Sequence, residues 1–72
     1  MTKLPAIKPR KLISILGKLG FKEFPGKGSH RIFVKGDVQI VVAFHSRDMK
    51  KGTLRQIIKT LGMTGDEFKD LF

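Results

Sequence analysis

Residues 29–44 read SHRIFVKGDVQIVVAF. Two runs rich in β-branched and aromatic residues, 29–35 and 38–44, flank the pair Gly36-Asp37. Glycine supplies the positive φ that opens a type II′ turn, so this stretch predicts a tight antiparallel hairpin. The first arm starts with a serine and a histidine, placed where a loop becomes a strand.

The neighbouring segments fall into place around that hairpin. Upstream, 21–24 predicts a short strand closed by Pro25-Gly26. Leu12, Ile15, Leu16 and Leu19 recur at helical spacing, with Arg10, Lys11, Ser14 and Lys18 on the other side. Pro9 suits a first helical turn, Gly20 suits a left-handed stop, and Phe21 can fold back on the last turn. Helix 1 is therefore expected over 9–19, after an extended lead-in at 1–8. Downstream, Leu54, Ile57, Ile58 and Leu61 form an i, i+3, i+4, i+7 stripe that predicts helix 2 over 50–61. Gly62 and Met63 repeat the glycine–apolar stop. Thr64 with Glu67 forms a capping box for a last short helix, whose apolar side is Phe68, Leu71 and Phe72.

The order is α-β-β-β-α plus a short terminal helix. Both long helices carry one apolar stripe and can bury it on the same face of an antiparallel sheet. The expected fold is a two-layer α+β domain, three antiparallel strands under two helices, spanning 1–72 as a single unit. Strand 3 is apolar on nearly both faces. Its second face calls for a cover: self-association, a terminal segment or, favoured for so small a chain, a partner protein.

Composition narrows the partners. The chain has 72 residues, and 15 Lys plus Arg against six Asp plus Glu leave a net charge of +9. Such a field attracts polyanions: nucleic acid, an anionic membrane surface or an acidic protein. The absence of cysteine removes disulfides and thiolate metal sites. No segment is long and apolar enough to span a bilayer. MTKLPAIKPRK lacks the apolar core of a signal peptide. The expectation is a cytoplasmic protein with no membrane role.

The acids Glu23, Asp37, Asp48, Asp66, Glu67 and Asp70 do not build a metal site. The last three lie in and beside a helix first turn, and His30 and His45 have no ligand spacing. Gly26-Lys27-Gly28 leads into a strand instead of a helix, and Lys51-Gly52-Thr53 lacks the upstream glycine of a phosphate loop. No metal, nucleotide or other small-molecule cofactor is expected.

His30 fits a different chemistry. In metal-free RNA cleavage the 2′-hydroxyl attacks its own phosphate, and the protein supplies a base, an acid and positive charge. Histidine carries protons near neutrality. Lys27 and Arg31 flank His30 in sequence. Gly28 and Ser29 can bring backbone N–H groups close to a phosphate, and the Ser29 hydroxyl can bond one or orient the imidazole. An ordinary surface histidine at a strand start would leave the same trace in composition, and on composition alone is the commoner case. His45 is a second candidate proton carrier, although a loop histidine before helix 2 is the commoner explanation. Lys50, Lys51, Arg55 and Lys59 along helix 2 can track a phosphate backbone or form a solvated face.

Taken together, LGFKEF, KGSHRIF and KKGTLRQIIKTLGMTGDEF resemble, in order and spacing, the HicA family of toxins, the YcfA-like mRNA interferases. The resemblance covers nearly the whole chain. It implies a double-stranded-RNA-binding-domain-like fold, ribonuclease activity on mRNA, a catalytic histidine at His30 beside Gly28 and Ser29, and a HicB antitoxin that covers the active site. Two stretches depart from the family pattern. Phe24-Pro25-Gly26 stands where members often carry an arginine. Ala43-Phe44-His45 replaces Pro-x-His, keeping the histidine without its rigid approach. Two further readings compete with the toxin. A non-catalytic RNA-binding module would recognise duplex shape through phosphate and 2′-hydroxyl contacts. An adaptor for an acidic protein would have no RNA affinity at moderate salt.

Overall fold

The computed structural model describes residues 4 and 6–71. Its elements run α1 (Pro9–Lys18), β1 (Lys22–Pro25), β2 (His30–Lys35), β3 (Val38–Ala43), α2 (Lys51–Thr60) and α3 (Gly65–Lys69). The expected α-β-β-β-α order and short last helix are present. Boundaries differ by a residue; β1, expected over 21–24, sits one place later. Phe72, expected on the apolar side of α3, lies outside the described residues.

Local chemistry sets these limits. At the hairpin, Lys35 pairs with Val38, which leaves Gly36 and Asp37 as a two-residue loop. Gly36 has φ 59°, while Asp37 is not at positive φ, the pattern of a II′ turn. Both long helices stop in the same way. Gly20 (φ 94°) and Gly62 (φ 73°) take the left-handed position. The N–H of Phe21 reaches the Leu16 carbonyl and that of Met63 the Ile58 carbonyl, while Gly20 and Gly62 donate to Gly17 and Lys59. These are two Schellman motifs with an apolar residue folded back on each. At α3, Thr64 and Glu67 form the reciprocal capping box.

The sheet order is β1-β2-β3, antiparallel throughout. Strand alternation divides its side chains. Phe33, Ile40 and Val42 are buried on the face that α1 and α2 cover. Lys35 projects to that same side and donates to the Leu19 carbonyl at the α1 C-terminus (2.5 Å). The other face carries His30, Ile32 and Val34 opposite Ala43, Val41 and Gln39, with Phe24 beside Ile32. Phe24 and Val41 are 47% and 48% exposed. The described part of the terminal segment does not shield them: α3 packs on α2, and Phe68 is buried in the core between the layers. The lead-in is part of that core. Leu4 and Ile7 are buried, and the Ile7 carbonyl accepts from the Met49 N–H (2.8 Å).

Candidate active site

The β1–β2 loop positions His30. The His30 N–H donates to the Lys27 carbonyl (3.0 Å), and the His30 carbonyl accepts from the Gly26 N–H (3.1 Å). Gly28 holds φ 59°, a conformation that glycine adopts without a Cβ penalty. Gly26 is needed for a different reason. A Cβ there would lie 2.7 Å from the His30 carbonyl oxygen, a backbone atom that cannot swing aside as a flexible side chain could. Gly26→Ala is therefore expected to force the loop open, at a cost of about 1–3 kcal/mol as for other overpacked sites. Amide resonances would move at His30 and its loop and stay put in α2. An unmoved His30 amide in a ¹⁵N–¹H spectrum would contradict this packing.

The same loop orients the imidazole. His30 Nδ1 lies 3.2 Å from the Lys27 carbonyl oxygen. A carbonyl only accepts, so this contact is a hydrogen bond when Nδ1 carries the proton. Nε2 of the neutral ring is then the unprotonated nitrogen, able to take a proton. His45 has the complementary arrangement. Its Nδ1 accepts from the Arg47 backbone N–H (3.2 Å), which leaves the proton of the neutral ring on Nε2.

Register brings the two histidines to one end of the sheet. His30 pairs with Ala43, and the Phe44 N–H donates to the Ser29 carbonyl (2.8 Å), so His45 follows directly after the paired segment. A cavity of about 530 Å³ beside Ala43 is lined by His45, Arg47 and Lys50, together with Asp48. Lys50 precedes the first turn of α2. Lys51 and Arg55 continue from it on the exposed surface, one turn apart. Lys27, Gly28 and Ser29 are exposed on the loop beside His30.

Arg31 is separated from His30. Adjacent strand residues point to opposite faces, and Arg31 goes to the helical side. There its guanidinium donates to Glu23 (2.7 Å) and lies over the Phe44 ring at 4.7 Å. Flanking in sequence is not flanking in space at this position.

A larger cavity, about 820 Å³, adjoins the helical side of the same sheet end. Its walls include Lys8, Arg10, Lys11 and Ser14 from the start of α1, with Phe44 and His45 opposite. Arg10 and Lys11 read from sequence as the outer side of a helix, and Lys8 as part of the lead-in. The available signal was their place in a first turn, where the helix dipole favours acids and α1 has none. Among the described residues, no three His, Asp or Glu side chains gather where they could hold a metal ion. No described helix is long and apolar enough to cross a membrane.

Comparison with known proteins yields one finding. Residues 9–63, from the first residue of α1 to the residue that closes the α2 stop, match a family model described as the HicA toxin of bacterial toxin-antitoxin. No curated protein matches the chain.

Proposed function

The chain belongs to the HicA toxin family of bacterial toxin–antitoxin systems, and from that premise we propose that it is a metal-independent ribonuclease cleaving mRNA through His30. The observation that carries this reading is the anchored imidazole. With Nδ1 held by the Lys27 carbonyl, the ring offers Nε2 in a fixed direction at the rim of a cationic surface.

In the proposed reaction the 2′-oxygen bonds to the adjacent phosphorus and the bond to the 5′-oxygen breaks. The 2′-hydroxyl proton passes to a base, and the leaving oxygen takes a proton from an acid, giving a 2′,3′-cyclic phosphate and a 5′-hydroxyl end. His30 Nε2 acts as base when neutral and as acid when protonated. His45, whose Nδ1 accepts from Arg47, holds the Nε2–H of its neutral ring outward, where it can donate a hydrogen bond to a phosphoryl oxygen. Lys27 and the backbone N–H groups of Gly28 and Ser29 serve the reacting phosphate. Lys50, Lys51 and Arg55 follow the flanking backbone. Arg31 reaches RNA only from the helical side, in competition with Glu23. The partner is a HicB-type antitoxin that covers this end of the sheet, and the site of action is the cytoplasm, where mRNA is.

The test is incubation of the purified chain with a long single-stranded RNA in EDTA. Cleavage is expected, with affinity that falls steeply as salt rises, because each neutralised phosphate releases counterions. RNA bound but left whole would favour the non-catalytic binding module. No RNA affinity at moderate salt would favour an adaptor for an acidic protein.

A further inference from the structure

Resting on the toxin–antitoxin reading, we propose that the antitoxin adds a strand to the free edge of β3, and that this strand is acidic. β3 ends the sheet, with β2 on one side only. The hairpin closes at Lys35–Val38, and Phe44 still donates to Ser29. Residues 38, 40, 42 and 44 thus turn their backbone groups toward β2. Gln39, Val41 and Ala43 turn theirs outward, and no backbone hydrogen bond to them from outside the sheet is present among the described residues.

A groove follows that edge. One section, about 460 Å³, lies between Gln39, Val41 and the α2 residues Gly52, Thr53, Gln56 and Thr60. The next, the 530 Å³ cavity, shares Val41 and Thr53 and continues to Ala43 and His45. The α2 wall is uncharged, although Lys51, Arg55 and Lys59 stand on the adjacent stripe of the same helix. An added strand has space here between the sheet edge and the helix.

The chemistry of the edge selects the occupant. Gln39, Val41 and Ala43 present a donor and an acceptor at every second residue, the repeat of an extended peptide. An RNA backbone offers phosphate acceptors and 2′-hydroxyl donors, but on a flexible chain without the fixed in-plane alternation of N–H and C=O that an extended peptide brings. A second copy of this chain would bring another +9 to an edge already bordered by Arg47 and Lys50, with Asp48 the one acid beside them. An acidic strand meets both the backbone pattern and the charge. At its Ala43 end it would also lie next to His45 and across from His30, closing the approach to the candidate site.

Amide hydrogen exchange tests this directly, with the cognate HicB-type antitoxin as probe. Formation of the complex is expected to slow exchange at Gln39, Val41 and Ala43 by about 100-fold or more, while Ile40 and Val42, already paired with β2, change little. Val41→Pro removes one outward donor at a position where an edge strand tolerates proline. It is expected to raise the complex Kd about 10–100-fold, about one to two factors of ten at 1.4 kcal/mol each, whereas Val41→Thr, which keeps the N–H, binds like the wild type. A tight complex with unchanged exchange at all three amides would overturn edge pairing and leave the toxin–antitoxin reading standing. So would Val41→Pro binding as tightly as Val41→Thr. Failure of the wild type to bind the antitoxin at all would sink the partnership itself. Protection of the same amides by RNA, or by the chain alone with a dimer in sedimentation, would reassign the edge and overturn the proposal.

Discussion

Replacing His30 with alanine is expected to reduce RNA cleavage in EDTA by about 10²–10⁴-fold, the range that positioned proton transfer supplies. The fold should not change. His30 is exposed, and its only described side-chain contact is with the Lys27 carbonyl. A surface change of this type stays within about 0.5 kcal/mol, which for a chain this short is a shift of no more than about 4 °C in melting temperature. His30→Asn separates orientation from proton transfer. The asparagine amide can donate to the Lys27 carbonyl much as Nδ1 does, but it has no titratable atom in the place of Nε2. Asparagine is therefore expected to fail as badly as alanine. A wild-type rate in either variant would mean that the proton moves through another group, and attention would pass to His45. RNA binding should be nearly the same in all three proteins, because the cations of the loop and of α2 are untouched.

The parts of this fold that were legible in the sequence are those decided within a few residues. Gly36-Asp37 marks its turn because only glycine enters the required φ cheaply. Gly20-Phe21 and Gly62-Met63 mark helix ends for the same reason, and Thr64 with Glu67 marks a start. The His30 position was legible as a histidine at a loop–strand junction. Its orientation was not, because that depends on the Lys27 carbonyl being turned toward Nδ1. Burial of Leu4 and Ile7 was hidden for a related reason. The segment before α1 has no periodicity, and it enters the core by docking on the loop after β3. Arg31 shows where linear reading misleads. Its neighbour is His30 along the chain, but its partners in space are Glu23 and Phe44. The free edge of β3 depends on strand order, which no single stretch of residues specifies.

Phe33→Ala is expected to take the domain to the limit of its stability. Phe33 lies on the central strand, 2% exposed, with Ile40 across from it on β3 and Glu23 on β1. Truncating a buried phenylalanine costs about 3–5 kcal/mol, because transfer energy is lost and a cavity remains. A 72-residue domain has about 4–11 kcal/mol in total at the usual stability per residue. The melting temperature should fall by about 12 °C or more, and a sizeable unfolded fraction is expected at 37 °C. Phe24→Ala is the control. It removes the same side chain from the adjacent strand, but from the open face, where Phe24 is 47% exposed. A loss of about 1 kcal/mol or less is expected there, in the ordinary range for a partly exposed site. Urea denaturation of the two variants measures the difference between the faces. Equal losses would mean that the open face is buried in the free protein, by self-association or by a segment folded over it. A small loss for Phe33→Ala alone would mean that the core is not centred on β2. The expected inequality leaves Phe24, Ile32 and Val41 as solvent-facing apolar surface on a folded monomer, next to His30 and ending at the edge assigned to the antitoxin strand.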